Sequence, residues 1–423
     1  MQNILRKILE HGSCRIFKIS SSIEDYKRLS RTLSGDNKMS DISVEKINES
    51  LAERFIENNA DISEAYLIHD PSDIRKPYSK KIENLGKVRD LSGNIINGYS
   101  SHNIVGIAGN NKSVHLLSHI SYSNKDDKFL KREFVKKLEK NKGFEEEKEA
   151  RELYESKEYV NKKIISNKEL QGISARLKSL KPSLKITHIL DREFDDDEYL
   201  KIIDSSINDS FIVRSKKTRA DDSVDENKKS TKLIDAKFEQ TKAIEIQKIR
   251  FKDKVYQDIK IEISWKKYHT YNAVKITIRD RNNTEIFKNP MLLLTNKIVD
   301  SDEDAYQIYI GYLKRSRIEY VFKFLKEGLG WEEIQTRNFQ GIQNLLSICF
   351  YVSSYLYEIG KEAAHDDYAI LLAEIGGGKG KVTRHYILEG VKLILGKIRV
   401  EEVFKRHGIT PKIQENIKNT LGA

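Results

Sequence analysis

One stretch, residues 304–328 (DAYQIYIGYLKRSRIEYVFKFLKEG), constrains this chain more than any other, because its pattern suits one long helix. Tyr312, Arg315, Glu319, Phe322 and Lys326 recur at spacings of 3, 4, 3 and 4 residues and so stack on one helical stripe. Ile310, Leu313, Ile318, Val321 and Leu325 supply apolar surface on the other sides. Ser301, followed by Asp302, Glu303 and Asp304, provides an N-cap and first-turn acids. A lone carboxylate, Glu319, thus stands between two cations. Taken alone, Arg315 and Glu319 are an i,i+4 ion pair on a solvated face, worth about 0.3–0.5 kcal/mol. The rest of the chain gives the ladder another meaning.

A chain of 423 residues suggests two or three domains, and 38% hydrophobic content is ample for a core. The net charge of +11 permits a polyanionic partner, but the Ile, Asn and Lys bias of an AT-rich coding sequence produces such a charge by itself. The two cysteines, Cys14 and Cys349, cannot build a zinc cluster, and nothing in the sequence places them in a disulfide framework. A reduced, cytoplasmic setting fits. The start, MQNILRKILEHG, lacks the apolar core of a signal peptide. The most apolar run, residues 345–357, is too short to span a bilayer and is interrupted by Ser347, Ser353 and Ser354.

Residues 1–61 read as a helical segment, either an arm that grips nucleic acid or a packing appendage, with Val44, Ile47, Leu51, Phe55 and Ile56 at helical spacing. Residues 65–69 form an apolar strand that ends at Asp70 and breaks into a loop at Pro71. Residues 98–106 and 113–121 are two more strands, so an antiparallel meander is expected. Residues 126–163, crowded with Lys and Glu, read as solvated helix with flexible stretches. A helix over 164–180 precedes a strand, KITHIL, which ends at Asp191 with Arg192, Glu193 and Phe194 behind it. The acids at 195–198 suit a helix N-terminus, and residues 211–214 are a further strand.

Residues 216–232 are polar and read as a mobile connection. Beyond them the period changes to two: Ile259, Ile261, Ile263 and Trp265, then Val274, Ile276 and Ile278, alternate with polar residues. With 243–251 and 291–294 this makes an antiparallel block between the strand at 211–214 and the long helix. Residues 338–360 are an apolar helix, and the tail is helical over 386–395 and 401–406. The GGGKGK run at 376–381 lacks the spacer and the Ser/Thr of a phosphate loop and reads as a basic turn.

Two strands therefore end in carboxylates, Asp70 and Asp191, and a later helix carries Glu319. Three converging carboxylates repel one another unless cations neutralise them. Two Mg²⁺ ions, with Mn²⁺ able to substitute, make the arrangement favourable and suit in-line phosphodiester chemistry. Asp73 is a rival for the first position. Asp70 is preferred because it directly ends the apolar run.

Here the residues resemble a known family. The helix fits Y-x2-R-x3-E-x6-K with Tyr312, Arg315, Glu319 and Lys326, the signature of a large group of bacterial insertion-sequence transposases of the DDE type. LIHDPSDIRKP resembles that family's first catalytic aspartate on its strand, and ILDREFD its second. Where an aromatic often follows the signature arginine in the family, this chain has Ser316. The resemblance covers roughly residues 62–360.

The resemblance implies an α/β fold, a ribonuclease-H-like mixed sheet flanked by helices. The core would run over 62–217 and 301–360, with a β-rich insertion domain at 218–300 and a helical C-terminal segment at 361–423. It implies cut-and-paste transposition: metal-dependent nicking of DNA at inverted-repeat element ends, a hairpin intermediate, and strand transfer into target DNA. Asp70, Asp191 and Glu319 would hold the metals. Tyr312, Arg315, Lys326 and Arg192 would contact DNA. Trp265 would stack on a flipped base, or, being in phase with Ile259, Ile261 and Ile263, would fill the core of the β block. A homodimer on double-stranded DNA, away from membranes and associated with the bacterial nucleoid, completes the expectation. The alternatives are an inactive DNA-binding descendant and a structure-selective nuclease on the same core.

Overall fold

The computed structural model describes residues 1–35, 42–90, 92–111, 113–139, 148–224, 230–238, 240–251, 254–359, 367–408 and 411. The chain begins with helices α1 (Gln2–His11), α2 (Ile16–Ile19), α3 (Ile23–Ser34) and α4 (Val44–Glu57). The meander follows as β1 (Glu64–Arg75), β2 (Gly86–Arg89), β3 (Ile95–Ala108) and β4 (His115–Tyr122). Helices α5 (Arg132–Glu139), α6 (Lys148–Ser156) and α7 (Lys162–Leu180) lead to β5 (Lys185–Leu190), α8 (Asp197–Lys201) and β6 (Ser210–Arg214). Next come β7 (Ala220–Val224), β8 (Ser230–Lys232), β9 (Gln240–Phe251), β10 (Lys254–Tyr268), β11 (Tyr271–Arg279) and β12 (Met291–Thr295). Helices α9 (Asp302–Leu313), α10 (Arg317–Lys323), α11 (Phe339–Ile359), α12 (Asp367–Ile375) and α13 (Arg384–Arg406) follow.

Ten strands join in one open mixed sheet, in the order β2-β3-β1-β5-β6-β12-β11-β10-β9, with β4 also paired to β3. β1, β5 and β6 are mutually parallel, and the other pairings are antiparallel. The expected meander is present as β1, β3 and β4. The expected β block is present too, and it is continuous with the rest of the sheet because β12 pairs with β6.

Helices cover both faces. Leu67 and Ala65 of β1, Ile104 of β3 and Ile186 of β5 pack against Phe55 of α4 and Ile173 and Leu177 of α7. Ile68 of β1, Ile189 of β5 and Ile212 of β6 point the other way, into a cluster shared with α9, α10 and α11. The alternation along each strand separates these two cores. Gly311 lets α9 lie close on the sheet: a Cβ there would come within 2.8 Å of Ile212 Cδ1.

Several expectations need correction. β1 does not end at Asp70 but runs through Pro71 to Arg75, paired with β3 throughout. Its pairing with β5 stops at Ile68, so one edge is open where Pro71 falls and a residue without an N–H is tolerated there. The helix over 304–328 is not uniform: a 3₁₀ turn, Lys314–Ser316, separates α9 from α10, and a π turn, Phe324–Gly328, follows. In the connection over 216–232, β7 and β8 pair with each other, while residues 225–229 lie outside the described residues. The two tail helices are one, α13.

Cys14 and Cys349 form a disulfide, with their Cα atoms 6.4 Å apart and both side chains fully buried. They are 335 positions apart in sequence, so only the packing of the N-terminal helices on α11 brings them together. Among the described residues, no helix is long and apolar enough to cross a membrane.

Candidate active site

Three parallel strands align the site. Ile68, Ile189 and Ile212 are level with one another across β1, β5 and β6. Side chains return to the same face every second residue, so the next positions on that face are Asp70, Asp191 and Arg214. Asp70 lies beyond the last β1–β5 pair, and Asp191 directly follows β5. Both carboxylates emerge where these strands part.

The 3₁₀ turn between α9 and α10 places Arg315 over this row. Its Nη2 is 3.0 Å from Asp70 Oδ1 and 3.2 Å from Asp191 Oδ2, and its Nη1 is 3.2 Å from Glu319 Oε1. One guanidinium therefore holds all three acids. Glu319 keeps 63% of its side-chain surface exposed, against 16% for Asp70. The pairing of Arg315 with Glu319 is real, but it is one arm of a larger cluster.

Burial drives the electrostatics. It pushes the Asp70 carboxyl up to about 6; Arg315 opposes this, and the neighbouring Asp191 and Glu193 charges add to it. Burial also works against the charged form of Arg315, but Asp70 and Asp191 more than offset it, so its pKa is raised. The Tyr312 phenol is raised well above its usual range, first by burial and then by the Asp191 charge.

Among the described residues, several buried polar atoms around this cluster have no hydrogen-bond partner. They are Asp191 Oδ1, Tyr312 Oη and the Nε atoms of Arg192, Arg214 and Arg315. The charges of Arg192, Arg214, Arg315 and Asp191 all act on Tyr312, which places these groups in one neighbourhood. Unpaired buried donors and acceptors cost about 1–3 kcal/mol each, so a group of them points to a polar ligand. Arg214 carries no functional signal of its own in the sequence. Its strand was legible as FIVR, but its level beside Asp191 depends on the β5–β6 register, which has no local signal.

The other expected residues stand elsewhere. Lys326 Nζ is 3.2 Å from the Asp73 carbonyl oxygen and 3.3 Å from Glu332 Oε1, within a cluster that also includes Arg75. The Asp73 side chain accepts a bond from Ser100 Oγ at 3.1 Å. Trp265 is 7% exposed and packs in the main core cluster, the second of the two positions its alternation allows.

Asp70 and Asp191, with a free Oδ1 on the latter, are hard oxygen donors that suit a divalent cation. Glu319 meets Nη1 whereas the aspartates meet Nη2. Among the described residues, no three His, Cys, Asp or Glu side chains are grouped to hold a metal ion in this arrangement. The Arg315 guanidinium supplies the neutralising charge instead. Compared with known proteins, the chain matches no family model and no curated protein.

Proposed function

We propose that this chain is a DNA transposase of the DDE type, cutting and joining phosphodiesters at the ends of a mobile element. The observation that carries the reading is the row Asp70, Asp191 and Arg214 beneath Arg315 and Glu319. The strand arrangement supports it: a meander, β4-β3-β1, is continued by parallel β5 and β6, the order that a ribonuclease-H-like core would have.

Asp70, Asp191 and Glu319 would hold Mg²⁺, or Mn²⁺ in its place, and the cations would supply an activated water or 3′-hydroxyl and stabilise the leaving oxygen. Arg315, released from the carboxylates, would turn its fork onto a phosphate. Tyr312 Oη and the free Nε atoms of Arg192 and Arg214 would donate to the same strand. Joining two element ends calls for two protomers on DNA. The exposed apolar residues Leu371 of α12 and Leu393 of α13 make the C-terminal helices the proposed contact.

The test is processing of a labelled duplex carrying the sequences that flank the gene, with Glu319→Gln beside the unaltered protein. Mg²⁺-dependent nicks, and hairpins if that intermediate is used, are expected from the unaltered protein. The variant should lose on the order of 10²-fold or more, the scale of several kcal/mol of metal-assisted stabilisation. Equal binding of the ends by both proteins without cutting by either would favour a non-catalytic end-binding protein, in which the Arg315 cluster is permanent.

A further inference from the structure

A cavity of about 440 Å³ opens at the start of α7, on the face of the sheet that α7 covers, within the span of roughly 300–1,000 Å³ common to small-ligand sites. Tyr122 of β4, Phe129, Arg132, and Lys162 and Lys163 at the start of α7 line it, together with Glu193. Glu193 lies two residues beyond Asp191 in the chain.

Its lining combines two chemistries. The Tyr122 and Phe129 rings are parallel to within 10°, with centroids 6.3 Å apart, and offer flat apolar faces. The cations stand among carboxylates, and Lys163, 15% exposed, pairs with both Asp196 and Glu198. Lys162 is 51% exposed and 2.6 Å from Glu193. Arg132 is 49% exposed and shares Asp196 with Lys163, at 2.7 and 2.8 Å. Burial works against the Asp196 charge, yet hydrogen bonds from Lys163 and Arg132 hold its carboxyl well below the usual range.

We propose that this cavity binds one nucleotide unit, with its base against Phe129 and Tyr122 and its phosphate on Lys162, Lys163 and Arg132. An aliphatic anion would leave the rings unused, and a neutral aromatic would leave the cations on the carboxylates they now pair with. A nucleotide satisfies both, because every base has a flat face and every unit an anion. The unit comes either from a nucleic-acid strand or from a free nucleotide. The assignment concerns binding and goes beyond the cleavage reading.

Calorimetric titration of the full chain at low salt, with thymidine 5′-monophosphate, a short oligothymidylate and an abasic oligomer of the same length, tests it. Phe129→Leu keeps apolar volume but removes the ring, and should weaken thymidine-containing probes about tenfold, the scale of one base–aromatic stack. A Lys162→Ala, Lys163→Ala variant should bind less tightly and with a shallower salt dependence. Binding of the mononucleotide identifies a free nucleotide, and binding of the oligothymidylate alone identifies a strand; both support the site. Three results overturn it: no binding of either thymidine probe, abasic binding as tight as oligothymidylate binding, or affinities unchanged in both variants. Normal nicking of labelled ends alongside any of these would leave the transposase reading standing while removing this one.

Discussion

Ile68 of β1 stands level with Ile189 of β5, and this single register brings Asp70 and Asp191 out of the sheet side by side. A slip of one residue would turn one carboxylate to the opposite face, toward α4 and α7. The Arg315 guanidinium, 3.0 and 3.2 Å from the two acids, then holds them together.

If Arg315 supplies the charge that metal ions would otherwise supply, Arg315→Ala should lower stability by about 1–3 kcal/mol. That is less than the full cost of breaking a buried pair, because the Arg315 and Asp70 side chains remain 18% and 16% exposed. Mg²⁺ should then raise the melting temperature of the variant more than that of the unaltered protein. Thermal unfolding with and without Mg²⁺ checks this, and equal shifts would contradict the substitution of one cation for another.

Trp265 separates a packing role from a DNA role. Its 7% exposure and place in the main cluster lead us to expect that Trp265→Ala costs about 3–5 kcal/mol. Denaturant unfolding measures this directly. A variant of undiminished stability that binds DNA poorly would return the residue to the DNA surface.

Buried histidines should make the protein acid-sensitive. His102, paired with His69 and Ser166, and His119, paired with Asn103 and Ser121, are both held down to about 3, chiefly by burial. The unfolded chain takes up protons near 6.5 and the folded one does not, so stability is present above that pH and falls as pH drops toward 3. Each should cost about 2 kcal/mol at pH 5. Urea midpoints between pH 7.5 and 5 check the slope, and His119→Gln should make it shallower.

The Cys14–Cys349 bond joins the N-terminal helices to α11 across 335 positions. Reduction should therefore cost about 2–4 kcal/mol. Cys14→Ser should show the same loss and no further response to reductant. Melting curves with and without dithiothreitol distinguish this from a pair that contributes nothing.

Where local pattern decides, the sequence was a sufficient guide. The alternation at Ile259, Ile261 and Ile263 marked β10, the capping Ser301 marked the start of α9, and KITHIL marked β5 up to Asp191. Asp191, at the end of β5, and Glu319, on its helical stripe, were legible for the same reason, whereas Asp70 lies inside β1 and not at the strand end that the apolar run suggests. Pro71 misled because proline blocks a strand only where its missing N–H is needed, and the loss of β5 as a neighbour beyond Ile68 is a tertiary fact.

By itself, then, the sequence determined the element types, the parity that puts Asp70 and Ile68 on one face, and the helical phase that puts Arg315 and Glu319 together. These depend on backbone periods and short-range sterics, which a few neighbouring residues set. Only the tertiary structure decided that Arg214 stands level with Asp191, that Cys14 meets Cys349, that Lys326 turns to Glu332, and that Arg315 neutralises three acids at once. Those relationships depend on strand register and on how closely α9 approaches the sheet over Gly311, which the packing of the whole core sets.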